Sequence, residues 1–186
     1  MASSTEQQEL LKELTVNKLQ KFRKDKNEFF KAYPQSPLTQ DQKHEFKGLN
    51  YFPENEGLKL EVNVEEFAEK EQISIQTSTG DVAPYQRFGK FQFQVDGEQA
   101  ELTLYKSDGE FFLPFADALA GKETYGAGRY LDIYKLGNGK FLIDFNYAYN
   151  PYCAYNARWS CPITPAENRL KVPIRAGEKI YESHES

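Results

Sequence analysis

The stretch FQFQVDGEQAELTLY, Phe91 to Tyr105, contains the clearest structural pattern in this chain. Apolar and polar residues alternate in two runs on either side of Asp96-Gly97, a preferred pair for a two-residue hairpin turn. With that turn, the apolar residues of both runs share one face and the polar residues share the other. The apolar set is Phe91, Phe93, Val95, Ala100, Leu102 and Leu104, and the polar set is Gln92, Gln94, Glu101 and Thr103. The pattern predicts an antiparallel hairpin with one buried and one solvated face.

Other segments of the chain show the same period of two or the turn residues that accompany it. LKLEV at residues 58–62 and ISIQT at residues 73–77 predict two short strands. RYLDIYKLGNGKFLIDFN at residues 129–146 predicts a second hairpin, and LKVPIRAGE at residues 170–178 predicts a last strand in which Pro173 suits a sheet edge. Short strands in succession, with no helix between them, predict a mainly β fold, either an antiparallel β-sandwich or a partly open β-barrel.

The N-terminal part of the chain follows a different period. In ELLKELTVNKLQKFRKDKNEFFKAYP the apolar residues recur at helical spacing, which predicts a long amphipathic helix within residues 1–34 that Pro34 ends. Thr39 and Gln42 have the spacing of a capping box, which predicts a second helix start. Residues 35–186 are predicted to form a single β-rich domain. The apolar stripe of the helix has to cover either the sheet or a partner chain.

Composition restricts the class of protein. The chain of 186 residues carries 23 Lys and Arg against 28 Asp and Glu, a formal charge of −5, which disfavours a nucleic-acid interface. No apolar run is long enough to span a bilayer, and the N-terminus has no export signal. We therefore expect a cytoplasmic protein that binds neither nucleic acid nor membrane and keeps its two cysteines as thiols.

The second predicted hairpin carries polar residues among aliphatic ones. If two residues connect its strands, Arg129 shares a face with Asp144 and Asn146. A cation, a carboxylate and an amide on one sheet face predict a partly buried polar site, and a plain Arg129–Asp144 ion pair is the alternative. Just before this hairpin, Gly126 and Gly128 could either let the backbone approach a ligand closely or supply a positive φ in a turn.

Metal and nucleophile chemistry find little support in the sequence. The two histidines, His44 and His184, lie far from the cysteines, and Cys153 and Cys161 are eight residues apart, which is not the spacing of a zinc site. No metal and no cofactor are indicated, and both cysteines are expected to be inert because neither has an evident partner base. Acid–base catalysis by two of the carboxylates of Asp117, Asp144 and Glu167 is the enzyme alternative, since an apolar pocket can split a carboxylate pair's pKa values.

Four blocks of sequence resemble the signature of an uncharacterised prokaryotic family that is catalogued as a domain of unknown function. They are TYGAGRYLD, DFNYAYNPYCAY, CPITPAENRL and AGEK, and the resemblance extends from about Ser36 to Lys179. It implies a compact β-rich domain and no established activity. The blocks contain more polar and charged residues than packing alone usually requires.

These residues form the predicted ligand site of a small-molecule-binding protein. The set is Asp117, Tyr125, Arg129, Asp144, Asn146, Asn150, Glu167, Asn168 and Arg169. We expect a pocket lined by Tyr and Trp, in which Arg129 or Arg169 holds an anionic group such as a carboxylate. The segment from Tyr149 to Leu170 is expected to form a rigid lid over it. The alternatives are the carboxylate enzyme and a structural or interaction domain that forms a homodimer through its N-terminal helix.

Overall fold

The structure is a computed structural model that describes residues 4–182, apart from the side chains of residues 15–17. This part of the chain forms two compact units, which are residues 4–48 and residues 49–182. The first unit contains the helices α1 and α2, and the second contains a β-sheet with its connecting segments.

The first unit confirms the predicted N-terminal helix and the capping box. Helix α1 runs over Ser4–Ala32 and helix α2 over Gln40–Glu45. The Thr39 hydroxyl accepts the Gln42 backbone N–H at 3.2 Å, and the Gln42 side chain accepts the Thr39 N–H at 2.8 Å. Within the described residues no helix is apolar over a length that could cross a bilayer. Residues 1–3 of the predicted helix lie outside the described part.

Eight strands form one antiparallel sheet in the second unit, within the described residues. The strands are β1 Lys59–Val62, β2 Glu65–Glu66, β3 Gln72–Gln76, β4 Val82–Val95, β5 Glu98–Ser107, β6 Glu110–Phe115, β7 Arg129–Lys135 and β8 Phe141–Asp144. They follow the order β1-β8-β7-β6-β5-β4-β2, and β3 also pairs with β4. The sheet curls into a half-barrel, so the partly open barrel is the confirmed alternative of the two predicted.

The hairpin of β4 and β5 has the predicted register. Val95 pairs with Glu98, so two residues form the turn, and both have positive φ, 51° at Asp96 and 83° at Gly97. These values are those of the turn type whose twist matches the strands. All six apolar residues of the predicted inner face are buried. Thr103 was expected on the wet face, but it is also buried, because another segment covers that end of the outer face.

The core on the inner face is completed by residues that form no strand. It includes Val172, Ile174 and Ala176, which are 4%, 0% and 0% exposed. The predicted last strand at residues 170–178 is therefore wrong, since the structure assigns no strand there and this part of the chain is irregular apart from an isolated bridge between Glu178 and Tyr51. We call residues 171–179 the C-terminal segment.

Part of the outer face of the sheet is covered by residues 149–170, which we call the cover segment. It begins with a bridge between Tyr149 and Tyr130 of β7, and the Tyr130 hydroxyl donates to the Pro162 carbonyl. Farther along, the Ile163 N–H donates to the Gln76 carbonyl of β3 at 2.8 Å. Because it contacts several strands, the cover segment buries outer-face side chains such as Tyr105, which is 0% exposed.

Gly128 lies where the β6 end and the cover segment approach each other. Its φ is +102°, and a Cβ there would lie 2.4 Å from the Thr164 hydroxyl oxygen and 2.6 Å from the Phe115 carbonyl oxygen. The residue thus needs both a positive φ and a missing side chain. The close neighbour is the protein's own chain, in the cover segment and β6.

We predict that Gly128→Ala lowers the free energy of unfolding by about 2–5 kcal/mol, the sum of left-handed strain and overpacking. Gly109→Ala is the matched control, because Gly109 has a φ of +82° and open space around it. The control should cost only the strain, about 1–2 kcal/mol. Urea denaturation of both variants measures the difference, and equal losses would show that the close approach has no energetic weight.

Candidate functional site

The second hairpin has a different register from the expected one. Lys135 pairs with Phe141, and Leu136 and Lys140 close a loop that has three residues between them. Odd residues therefore face odd residues across the hairpin. Arg129 shares its face with Ile143, while Asp144 points to the opposite face. The predicted pairing of Arg129 with Asp144 is wrong because the loop is one residue longer than assumed.

Arg129 instead holds the C-terminal segment. Its guanidinium is 1% exposed and donates to three backbone carbonyls, those of Ile174 at 2.9 Å, Ala176 at 2.5 Å and Glu178 at 2.9 Å. The three carbonyls belong to alternate residues of the C-terminal segment, which bends at Gly177, where φ is +76°. The guanidinium supplies the donors for all three carbonyls from one side chain.

Asp117 completes this arrangement. Its carboxylate, 5% exposed, accepts the Ile174 N–H at 2.8 Å and the Thr124 hydroxyl at 2.6 Å, and it lies 4.0 Å from the Arg129 guanidinium. Burial lowers the pKa of Arg129 to about 10, against the opposing effect of the Asp117 and Glu178 carboxylates. Arg129 is therefore a cation at neutral pH, balanced by a buried anion. We call Arg129 and Asp117 the clamp.

Glu178 is a buried carboxylate that the sequence did not single out. Its side chain is 0% exposed, and one oxygen accepts the Asn150 N–H at 2.5 Å and the Tyr155 hydroxyl at 3.0 Å. The Asn150 amide in turn donates to the Lys179 carbonyl at 3.0 Å. Glu178 and Asn150 thus join the start of the cover segment to the end of the C-terminal segment. The AGEK block of the family resemblance contained the signal for Glu178.

Two other predicted asparagines also bind backbone. Asn146 accepts the Asn55 N–H at 2.8 Å and donates to the Asn55 carbonyl at 3.0 Å, and Asp144 holds the Asn146 amide at 2.9 Å. Asn168, which is 0% exposed, accepts the Thr103 N–H and donates to the carbonyls of Thr103 and Pro114, each at 2.8 Å. Each side-chain amide thus supplies the hydrogen bonds that a neighbouring strand would give, at a place where the pairing of strands stops.

Glu167 forms an ion-pair cluster on the outer face. The Arg87 guanidinium binds its two oxygens at 3.0 and 2.7 Å, and the Tyr105 hydroxyl donates to one of them. Burial acts to raise the pKa of Glu167, but the hydrogen bonds from Arg87 and Tyr105 together outweigh it and the pKa is lowered. The neighbouring Arg169 is exposed, and its backbone forms a bridge with Ala116.

The structure thus distributes the nine predicted residues over several places. Arg129 and Asp117 meet in the clamp, and Asp144 meets Asn146 near Asn55. Glu167 and Asn168 both contact strand β5, while the Tyr125 hydroxyl contacts Cys153.

Tyr125, Cys153, Cys161 and Ser78 form a cluster that we call the thiol site. The Tyr125 hydroxyl lies 3.8 Å from the Cys153 sulfur, and the Cys153 N–H donates to the Cys161 sulfur at 3.3 Å. The Cys161 N–H donates to the Ser78 hydroxyl oxygen at 3.1 Å. Both cysteines are free thiols, Cys153 half-buried and Cys161 buried. The site joins the cover segment to the β3–β4 turn and to the loop before β7.

The protons of the thiol site are unevenly distributed. A hydrogen bond from the Cys161 thiol, with smaller effects from the Tyr125 and Ser78 hydroxyls, lowers the pKa of Cys153 to about 6 against the effect of burial. The same hydrogen bond, together with burial, raises the pKa of Cys161 well above its usual value. Burial and the contact with Cys153 raise the pKa of Tyr125 to about 12. The site therefore favours the thiolate form of Cys153 and the protonated forms of Cys161 and Tyr125.

The sequence did not predict this site, because neither cysteine has a histidine beside it that could act as a base. The neighbouring thiol and hydroxyl groups take over the stabilisation of the thiolate that an imidazolium would otherwise give. Within residues 4–182 no three His, Cys, Asp or Glu side chains are placed to hold a metal ion.

Comparison with known proteins agrees with the fold. The solution NMR structure of the uncharacterized protein from gene locus rrnAC0354 of Haloarcula marismortui is 30% identical and superposes with a TM-score of 0.68. The alignment covers 94% of this chain and 98% of that chain. Residues 44–179 match the family DUF1684, described as "Protein of unknown function", and the chain belongs to this family. No curated protein matches the chain.

We predict that Arg129→Lys lowers the free energy of unfolding by about 2–4 kcal/mol. The three donors of an ammonium lie on one nitrogen, whereas the guanidinium reaches the three carbonyls from two nitrogens, so the lysine leaves buried acceptors unsatisfied. Arg175→Lys is the matched control, since Arg175 forms an exposed ion pair with Glu123 at 2.7 Å. The control should change stability by less than about 1 kcal/mol. Thermal and urea unfolding test this, and an Arg129→Lys variant as stable as the control would contradict the clamp.

Proposed function

We propose that this protein binds a small molecule at the thiol site and that the Cys153 sulfur contacts or attacks the bound molecule. The observation that carries the proposal is the half-buried Cys153, whose sulfur lies 3.8 Å from the Tyr125 hydroxyl and whose backbone N–H donates to the Cys161 sulfur. A thiolate that is partly accessible and stabilised by neighbouring donors is the usual form of a reactive cysteine.

The chemistry of the site favours an electrophilic ligand. The Cys153 thiolate supplies the nucleophile, and the protonated Tyr125 hydroxyl supplies a hydrogen-bond donor for a polar atom of the ligand. Aromatic rings lie close by in the cover segment, where Tyr152 and Trp159 pack edge to face with centroids 5.3 Å apart. The expectation of a ligand lined by Tyr and Trp is kept in this proposal, with a different polar anchor.

An anionic ligand fits less well than the sequence led us to expect. The Arg129 guanidinium donates to three carbonyls inside the protein, so an anion would be left to the exposed Arg169. A thiolate at Cys153 would also repel an anion. We therefore place the ligand at Cys153 and favour a neutral molecule with an electrophilic atom.

Thiol chemistry is also better supported than acid–base catalysis by carboxylates. A general acid at neutral pH needs a raised pKa, whereas the pKa of Glu167 is lowered. Asp117 and Asp144 both accept backbone N–H groups. A cytoplasmic location belongs to the same proposal, because thiols remain reduced in a reducing compartment.

The rate of alkylation of Cys153 by iodoacetamide tests this proposal. The thiolate is the reacting form, so the rate should rise with pH through a midpoint at about 6, the lowered pKa, and level off above it. Tyr125→Phe removes one donor and should move the midpoint to higher pH. Tyr134→Phe, at a residue 66% exposed, should leave it unchanged.

The reaction is followed by mass spectrometry of the peptides that contain Cys153 and Cys161. A midpoint for Cys153 near about 8.5, the ordinary thiol value, would contradict the proposal. So would slower alkylation of Cys153 than of Cys161.

We further propose that the chain forms a homodimer through helix α1. Leu10 and Leu14, one turn apart on the same face of the helix, are 58% and 50% exposed. The charges of the helix are also divided: residues 4–17 carry three glutamates and one lysine, and residues 18–32 carry six basic and two acidic residues. Two antiparallel copies would place the acidic half of each helix beside the basic half of the other.

Analytical ultracentrifugation of the wild type and of the variant Leu10→Glu/Leu14→Glu tests the dimer. We expect a dimer that weakens as salt screens the helix charges and a monomer for the variant. Val82→Glu, at a residue 66% exposed in the second unit, is the control and should remain dimeric. A wild type that stays monomeric at the highest soluble concentration would contradict this proposal.

A further inference from the structure

We propose that Cys153 and Cys161 form a reversible disulfide when the protein reacts with a hydroperoxide. Cys153 is the residue that attacks the peroxide, and Cys161 is the residue that resolves the product. This inference rests on the proposed function for the accessibility of Cys153. It adds the class of ligand, the second thiol and the product.

The positions of the two cysteines carry the inference. The Cys161 sulfur accepts the Cys153 backbone N–H at 3.3 Å. This contact places the Cys161 sulfur against the residue that carries the Cys153 thiol. The two residues are therefore neighbours in the reduced protein, which is the first condition for a disulfide between them.

The chain between the two cysteines is held in place before any reaction. The Ser78 hydroxyl donates to the Trp159 carbonyl at 3.0 Å, and the Ser160 hydroxyl bonds the Thr77 hydroxyl at 2.8 Å. The Ser78 N–H also donates to the Cys161 carbonyl at 2.9 Å. Since these bonds fix Cys161 against the β3–β4 turn, little ordering remains to be done when the bridge closes.

The first step is attack of the Cys153 thiolate on the outer oxygen of the hydroperoxide. A sulfur–oxygen bond forms, the oxygen–oxygen bond breaks, and the leaving alkoxide takes a proton from water as the alcohol departs. Cys153 becomes a sulfenic acid. The Tyr125 hydroxyl, which keeps its proton at neutral pH, is placed beside the sulfur to donate a hydrogen bond to the peroxide.

The second step is attack of the Cys161 sulfur on the Cys153 sulfur. The sulfur–sulfur bond forms, the sulfur–oxygen bond breaks, and the Cys161 proton leaves with the hydroxyl group as water. In total, two thiols and one hydroperoxide give one disulfide, one alcohol and one water. A dithiol reductant restores the starting state by two thiol–disulfide exchanges, in which it is itself oxidised to a disulfide.

The different protonation of the two thiols matches these roles. The attacking thiol is most effective as a thiolate, and the resolving thiol can keep its proton until the sulfenic acid has formed. The interaction between the two residues lowers the pKa of Cys153 and raises the pKa of Cys161. Because Cys161 is buried, its sulfur is also less accessible to the peroxide than the sulfur of Cys153.

The test treats the reduced full-length chain with one equivalent of tert-butyl hydroperoxide. We expect the loss of both thiols of each chain, a mass lower by two hydrogens, and full recovery with dithiothreitol. Arg158 lies between the cysteines, so trypsin separates them, and the two peptides remain joined only through a Cys153–Cys161 bridge. This readout needs no variant that could fail to fold.

Two variants assign the roles. Cys161→Ser should still consume the peroxide and should hold a Cys153 sulfenic acid that dimedone traps. Cys153→Ser should consume peroxide at the rate of a control without cysteines. The Cys153→Ser variant could instead consume peroxide at the wild-type rate and give a Cys161 that dimedone labels. The roles of the two cysteines would then be reversed and the proposal would be wrong.

The failure of this inference can be told apart from failure of the proposed function. If Cys153 is oxidised to sulfinic acid while Cys161 stays a free thiol, or if bridges form between chains only, the intramolecular disulfide is overturned although Cys153 remains reactive. If Cys153 resists both tert-butyl hydroperoxide and iodoacetamide at neutral pH, the proposed function and this inference both fail.

Discussion

One buried guanidinium replaces a strand in this fold. Arg129 donates to the carbonyls of Ile174, Ala176 and Glu178, three alternate residues of the C-terminal segment. A segment inside a protein must have its carbonyls satisfied. Arg129 satisfies these three, and the N–H groups of Ala118 and Phe52 satisfy the carbonyls of Val172 and Gly177. The C-terminal segment can therefore insert its apolar side chains into the half-barrel although it forms no strand.

The remaining polar residues of the family blocks follow the same principle at smaller scale. Asn146 and Asn150 each bond the backbone of a segment outside the strands, and Asn168 bonds β5 and β6 at residues where these two strands do not pair with each other. This explains how so many buried polar side chains are tolerated, since each is hydrogen-bonded to groups that would otherwise be unsatisfied. A half-barrel with irregular covers on two sides requires such side chains. The thiol site is different, because its contacts control protonation and leave Cys153 half-buried.

Local patterns predicted the elements that local physics determines. The hairpin of β4 and β5 and the capping box at Thr39 depend on neighbouring residues in the chain, and both have the predicted geometry. The predicted register of the second hairpin was wrong because the loop has one residue more than assumed, and the sequence Gly137-Asn138-Gly139 does not indicate where strand pairing stops. The C-terminal segment alternates like a strand because one side of it is buried, but its hydrogen bonds go to Arg129 from a distant part of the sequence. The thiol site likewise depends on a contact between Tyr125 and Cys153 that no spacing indicates.

Amide hydrogen exchange of the wild-type protein tests most directly whether Arg129 makes the C-terminal segment an integral part of the core. The amide of Ile174 bonds the Asp117 carboxylate, and the amide of Glu178 bonds the Ala148 carbonyl. If the clamp holds, both should exchange only through global unfolding, with the same free energy of opening as the central amides of β4 and β5. Fast exchange at Ile174 and Glu178, while the strands stay protected, would show that the segment is a detachable cover and would contradict this view of the fold.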